Sequence, residues 1–152
     1  EAARQLREMA GARGVEIRIA ESLPVLTIDV GRLELTFINL LSNAIKYADP
    51  AKPERWVEVS ERAGDDSECQ VAVRDNGLGI PSESVATIFD QFTRAHAELE
   101  HGVHVSGLGL GLSIVDDCIR AMHGRIEVES SEGVGTTFVL TLPRTPSEVL
   151  NP

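Results

Sequence analysis

Three groups of residues in this 152-residue chain have types and spacings suited to holding a phosphorylated ligand. Asn39, Asn43 and Lys46 fall at i, i+4 and i+7, which puts them on one face of a helix. Two neutral amide oxygens suit Mg2+, which keeps most of its waters and takes one or two protein ligands plus substrate phosphates, and a lysine beside them neutralises phosphate charge. Asp75-Asn76-Gly77-Leu78-Gly79 offers a carboxylate that can accept from an exocyclic amine such as adenine N6, then glycines that let the backbone approach a flat ring. Gly107-Leu108-Gly109-Leu110-Gly111-Leu112 leads into a helix, whose free N–H groups and dipole can face phosphates. As a set, in this order, they predict an ATP site.

Taken singly, each has a plainer reading. The asparagine face can be a solvated stripe, Asp-Asn-Gly is a common turn, and the later glycines can be a hinge. Two other nucleotide motifs fail on spacing. A dinucleotide fingerprint needs a strand leading into GxGxxG, whereas position 112 is Leu, and a P-loop needs GxxxxGK[ST], whereas no Lys follows these glycines. Gly133-x-Gly135-Thr136-Thr137 reads alone as a hairpin turn.

The surrounding pattern supplies elements to position these groups. Residues 2 to 12 are helix formers stopped by Gly14, and Val15–Ala20 and Val25–Asp29 read as short strands. Asp29 can cap a helix running to about Tyr47 or Ala48, with Ile28 and Leu33 as a staple, and Pro50 and Pro53 end it. That helix is apolar on its other faces, so its polar stripe should look onto a cavity. Trp56–Arg62 and Gln70–Arg74 alternate around Gly64-Asp65-Asp66 as a hairpin that delivers Asp75. A short helix is expected at Ser84–Phe89 and an aperiodic loop over 93–106. A helix follows from Leu110 to Met122 with Gly124 as its cap, then strands Arg125–Ser130 and Thr136–Leu142.

Size and 42% hydrophobic residues suit one domain. A net charge of −10 excludes a non-specific nucleic-acid binder but not an ATP site, because backbone amides, a lysine and Mg2+ suffice for a nucleotide. Cys69 and Cys118 lack metal or disulfide spacing and read as buried small hydrophobes. No apolar run approaches the ~20 residues of a membrane span. A cytoplasmic location is expected, within a longer parent protein for which a membrane anchor stays open.

In this order the segments resemble the catalytic, ATP-binding domain of sensor histidine kinases, in the superfamily of gyrase, heat-shock chaperone ATPases and MutL. Asn39–Tyr47 is similar to the N box, Asp75–Gly79 to the first G box, Ile88–Phe92 to the F box, Gly107–Leu112 to the second G box and Gly133–Thr137 to the closing glycine and threonine segment. The resemblance implies an α+β two-layer sandwich, its mixed, largely antiparallel sheet covered on one face by three helices. It implies a domain over 15–143 with an ATP lid at about 90–108, preceded over 1–14 by the end of a dimerisation helix or linker and followed over 144–152 by a tail. By the same resemblance Asn43, helped by Asn39, holds Mg2+; Lys46 touches phosphates; Tyr47 lies against adenine or ribose; and Asp75 binds the adenine amine. Gly77 makes room for the base, with Gly79 and Ile80 beside it, and Thr136 supports Asp75 through water. Gly107 to Leu112 takes the phosphates, and Arg94 follows the F box closely enough to meet the γ-phosphate, which makes Asn43, Lys46 and Arg94 the catalytic set.

Hydrolytic relatives have a water-activating Glu four residues before the metal-binding Asn, where this chain has Asn39. An amide cannot take that proton, so transfer is expected over hydrolysis. None of His96, His101, His104 and His123 is followed by an acidic residue, so the phosphoacceptor is expected on a separate dimerisation domain of the parent, with a response regulator downstream. His123 reads as a helix-terminal histidine, and the loop histidines as solvated rather than zinc ligands. The alternatives are a serine kinase of the anti-sigma type, whose product is acid-stable, and a nucleotide-sensing pseudokinase module.

Overall fold

The computed structural model describes residues 1–24, 26, 28–89 and 110–144. In chain order these form α1 (Ala2–Arg13), β1 (Val15–Ile19), α2 (Val30–Lys46), β2 (Arg55–Arg62), β3 (Glu68–Asp75), α3 (Ser82–Val85), α4 (Leu110–Ala121), β4 (Arg125–Ser131) and β5 (Gly135–Pro143). The strands make one sheet in the order β1-β2-β3-β5-β4, with β1 parallel to β2 and every other pair antiparallel. This is the expected mixed α+β sandwich. The β2–β3 hairpin turns at Asp65, whose Oδ1 accepts from Ser67 N and Glu68 N at 2.8 Å each.

Alternation along the strands selects the covered face. Val57, Val59, Val71, Val73, Phe138, Leu140 and Leu142 are buried in one cluster with Leu40, Leu41 and Ile45 of α2 and Leu112, Val115 and Ile119 of α4. Thr36, fully buried on α2, satisfies its hydroxyl locally by donating to Arg32 O at 2.8 Å. α2 starts as expected: Asp29 is extended at φ −67° and ψ 104°, and its Oδ1 accepts from Arg32 N at 3.1 Å. Ile28 and Leu33, the two staple positions, both pack on the core. α1 packs its buried Ala2 and Ala10 onto the domain, and Gln5 donates to Glu34 of α2 at 2.9 Å. Gly14 ends it in the left-handed conformation, φ 65°.

Three local expectations are corrected. Leu26, Ile28 and Asp29 carry no strand, while Val25 and Thr27 lie outside the described residues. β1 and β2 are parallel, so the chain between them must cross over through α2, and residues 20–29 span that crossover after Ala20 N makes a last bond to Val59 O at 2.9 Å. The short helix runs Ser82–Val85 rather than Ser84–Phe89: Pro81 at φ −55° starts it, and Phe89 beyond it docks edge-on against Phe138, with ring centroids 6.1 Å apart. At the end of α4 the left-handed residue is His123 (φ 60°), not Gly124. Gly124 N bonds Ile119 O and His123 N bonds Arg120 O, both at 2.9 Å, which closes a Schellman turn with histidine at the strained position. A side chain at Gly124 would start 2.4 Å from Thr141 O, so its glycine answers a close approach to β5. The aperiodic loop over 93–106 lies outside the described residues.

Candidate functional site

Asp75 is the last residue of β3, paired with Val57. Asn76 fixes the strand end by acting as a side-chain continuation of the ladder: its Oδ1 accepts from Trp56 N at 2.9 Å and its Nδ2 donates to Glu54 O at 2.8 Å. The Asp75 carboxylate turns back over the loop, where Oδ1 accepts from Gly77 N at 2.8 Å and from Thr136 N at 3.3 Å. Oδ2 has no partner among the described residues. Burial pushes the Asp75 carboxyl up to about 6, against the pull of those two N–H groups and of the Lys52 charge. A carboxylate with one oxygen anchored and the other free is a shaped acceptor for an N–H donor.

Asp75 borders a small pocket of about 30 Å³ lined by Asn43, Ala44, Tyr47, Asp75, Gly79, Ile80, Thr136 and Phe138. Its walls are apolar (Ala44, Ile80, Phe138) with an aromatic ring at Tyr47, and its polar groups converge from α2, β3 and β5, which is the form expected of a small-molecule site. Asn43 is 5% exposed and its Nδ2 has no hydrogen-bond partner among the described residues. An unpaired buried amide costs about 1–3 kcal/mol unless something else satisfies it. Its position in the pocket makes a polar ligand group the natural partner.

The glycine turn is locked to its neighbours by backbone contacts. A side chain at Gly77 would begin 2.5 Å from Tyr47 O, and Leu78 N donates to that same oxygen at 3.0 Å. Gly79 has φ 77° and leaves no room for a Cβ, which would meet Ser131 O at 2.2 Å. Ile80 N donates to Ser130 Oγ at 2.8 Å, and that hydroxyl lies 2.8 Å from Thr136 Oγ1. Two pocket-lining residues are thus held by one serine from β4.

The structure therefore gathers Asn43, Tyr47, Asp75, Gly79, Ile80 and Thr136. Asn39 and Lys46 do not line the pocket, although both stay on the same face of α2, and Gly77 approaches the Tyr47 backbone instead of lining it. Asn39 Nδ2 donates back to Leu35 O at 2.8 Å, which leaves its oxygen end for a cation. Thr136 reaches Asp75 directly by its backbone N–H, while its hydroxyl pairs with Ser130. Arg94, Gly107, Leu108 and Gly109 lie outside the described residues, as do the three loop histidines. Leu110 and Gly111 open α4, and Leu112 is fully buried in the core, so only its backbone can face a ligand. Lys52, Ser130 and Phe138 are site residues that the motifs do not contain. Lys52 sits in a Pro-rich loop with no periodicity, and only the register of β4 against β5 reveals Ser130.

The donor set fits a magnesium nucleotide. The oxygen ends of Asn43 and Asn39 are hard, neutral ligands one helical turn apart, and the orphaned Asn43 nitrogen shows that this amide is not consumed by the fold. Among the described residues no cluster of His, Cys, Asp and Glu could hold a metal by itself.

Residues 28–146 match the model of the family described as histidine kinase-, DNA gyrase B-, and HSP90-like ATPase. The chain is 40% identical over 129 residues to cyanobacterial phytochrome B of Nostoc sp., covering 85% of this chain and 16% of that protein. It is 36% identical over 132 residues to the methanogenesis regulatory histidine kinase FilI of Methanothrix harundinacea, covering 87% and 14%. The chain thus spans about a sixth of the length of such relatives. Among solved structures it is similar to full-length ShkA in complex with AMPPNP, with TM-score 0.71, 32% identity and 93% of this chain against 28% of that one. The mycobacterial sensor histidine kinase MprB matches with TM-score 0.73, 25% identity, 95% of this chain and 93% of that one. With the sheet order, the pocket and the family model in agreement over most of its length, the chain belongs to the family of histidine kinase-, DNA gyrase B- and HSP90-like ATPases.

Proposed function

We propose that this chain is the ATP-binding kinase domain of a two-component sensor histidine kinase, which binds Mg-ATP and passes the γ-phosphate to a histidine on a separate dimerisation domain of its parent. The observation that carries the reading is the Asp75 carboxylate, anchored at Oδ1 and free at Oδ2, at the end of an apolar pocket beside the unpaired amide of Asn43. Oδ2 accepts the adenine amine, Ile80 and Phe138 give the base an apolar bed, and the Tyr47 ring covers its edge. Asn43 and Asn39 orient the phosphate end with Lys46, and Arg94 meets the γ-phosphate. Mg2+, when bound, supplies charge neutralisation at the phosphate oxygens.

The protein's own contribution is to hold the nucleotide still and exclude water from it, since phosphoryl transfer needs positioning and charge stabilisation more than acid–base chemistry. Asn39, in the slot of a water-activating carboxylate, cannot take a proton, which favours an external imidazole over water as nucleophile. No helix among the described residues is long and apolar enough to cross a membrane. In this reading the domain works in the cytoplasm beside a response regulator.

Calorimetry with Mg-ATP on the wild-type chain and Asp75→Asn tests the site. Micromolar binding by the wild type and a loss of about tenfold or more in the variant are expected, since an amide in place of the carboxylate loses a charge-assisted bond. Equal affinities overturn the adenine assignment. Incubation with radiolabelled ATP should leave the isolated chain unlabelled, and adding the parent's dimerisation domain should yield acid-labile phosphate.

A further inference from the structure

Lys52 belongs to none of the motifs, yet its ammonium is fully used near the pocket. It donates to Asn76 O at 2.6 Å, to Gly77 O at 3.2 Å and to Val134 O at 3.1 Å. An ammonium has three donors, and all three go to backbone carbonyls. Two of the acceptors lie in the turn directly after Asp75. The third lies in the β4–β5 turn, two residues before the Thr136 N–H that reaches the same carboxylate. The lysine's own backbone is fixed, with its N–H on Asp49 O at 3.1 Å and its carbonyl accepting from Arg55 Nε at 3.2 Å.

We infer that Lys52 is a positioning residue for nucleotide binding: it ties the 76–77 turn to the 133–135 turn, and so holds Asp75 and Thr136 in the register that receives the base, without touching the ligand. The inference rests on the adenine reading of the pocket. Without the ammonium, three carbonyl dipoles would crowd the same space with no donor between them, and the turns would be tied chiefly by the bond from Gly133 N to Leu78 O at 2.8 Å. Its charge also acts on Asp75, where it favours the ionised form that accepts an amine. The other charged groups near Asp75 are Arg74 and Glu129, which border a second depression together with Asp75, Thr136 and Trp56. The Arg74 guanidinium lies over the Trp56 ring at 5.2 Å, as does that of Arg18 at 5.1 Å.

The test compares the wild-type chain with Lys52→Met, which keeps length and loses charge, and Lys52→Arg, which keeps charge. Mg-ADP affinity is measured by calorimetry from pH 5 to 8, and the Asp75 carboxyl is titrated by carbon-13 NMR in the free protein. Lys52→Met should bind about tenfold more weakly, Asp75 should titrate at higher pH, and the pH at which binding is half lost should rise with it; Lys52→Arg should restore most of both. Unchanged affinity and unchanged titration in Lys52→Met overturn the inference. So does weaker binding with an unmoved Asp75 titration and no rescue by arginine, which is the signature of a general structural role. If Lys52→Met does not fold, Lys52→Gln, which retains a donor without charge, is read by the same criteria. Failure of the wild type to bind nucleotide refutes the functional reading instead, while the titration of Asp75 in the free protein still tests the link to Lys52.

Discussion

The carbonyl oxygen of Asp75 lies 2.0 Å from where a side chain at Gly135 would begin. Gly135 also holds φ 144°, a conformation that side chains rarely adopt, so the last residue of β3 and the first residue of β5 can approach only because one of them is glycine. Gly135→Ala should therefore destabilise the chain by more than about 3 kcal/mol, because strain and a backbone clash add. Gly133 is the control: it has φ 76° but nothing within 4 Å of its missing Cβ, so Gly133→Ala should cost only about 1 kcal/mol. Urea unfolding of both variants checks this, and equal costs would mean that the contact with Asp75 plays no part.

Asp75 predicts a pH dependence of stability whose sign runs against the usual carboxylate. Its carboxyl is raised from 3.8 to about 6 in the folded protein, so between those values the native state binds more protons than the unfolded chain. Stability should therefore fall as pH rises from about 4 to about 6, by up to about 3 kcal/mol at about 1.4 kcal/mol per pH unit, and stay reduced above. Asp75→Asn removes the penalty. In the absence of nucleotide its Tm should exceed that of the wild type at pH 7, with the difference shrinking towards pH 4. A difference that does not vary with pH sinks the idea that the carboxylate is held in a desolvated site.

Much of this arrangement was legible before any coordinates because it is local. Val57 and Val59 alternate with polar residues, Val71 and Val73 keep the same two-residue period, and Asp29 precedes a helical apolar pattern, so strands and cap follow from short-range chemistry. The functional motifs were legible for the same reason, since Asp75 and Gly79, or Asn39 and Asn43, lie within one turn or one helical repeat. Relations between distant segments were not. Thr136 N–H on Asp75, Lys52 on Val134 and Ser130 on Ile80 join residues 50 to 82 positions apart. Each depends on strand register that no single segment specifies. The absence of a strand at Leu26, Ile28 and Asp29 has the same origin: the local composition fits a strand, whereas the parallel pairing of β1 with β2 requires the chain between them to cross over. At the end of α4, glycine at 124 pointed to a left-handed cap, whereas its proximity to Thr141 O is what requires it.

Asn43 should show a trade between stability and binding. Its Nδ2 is buried without a partner among the described residues, a cost that a bound ligand group would relieve. Asn43→Leu replaces the amide by an apolar group of similar size beside an open pocket. The free variant should be at least as stable as the wild type, within about 1 kcal/mol or better, while Mg-ATP binding falls about a hundredfold or more. Differential scanning calorimetry with and without nucleotide reads both quantities. A large loss of stability in the free variant would show that the amide serves the fold rather than the ligand.

Arg55 links α1 to the same machinery. Its Nη1 donates to Arg13 O at 2.9 Å, its Nη2 to Pro50 O at 3.1 Å and its Nε to Lys52 O at 3.2 Å, while the Arg13 side chain donates to Lys46 O at 3.3 Å. One guanidinium thus holds the last carbonyls of α1 together with the loop that carries Lys52. Arg55→Met should cost about 1–2 kcal/mol, since three charge-assisted bonds are lost but their acceptors are near enough to solvent to be rehydrated. The more diagnostic readout is local. Hydrogen exchange should accelerate at the end of α1 and in residues 49–53, and then in the 76–80 turn that Lys52 holds, while the centre of β3 keeps its protection. Faster exchange confined to α1 would show that the loop holds itself and that the guanidinium merely caps a helix. Acceleration reaching the 76–80 turn would give α1 a physical route to the base pocket, through two cations and the carbonyls between them.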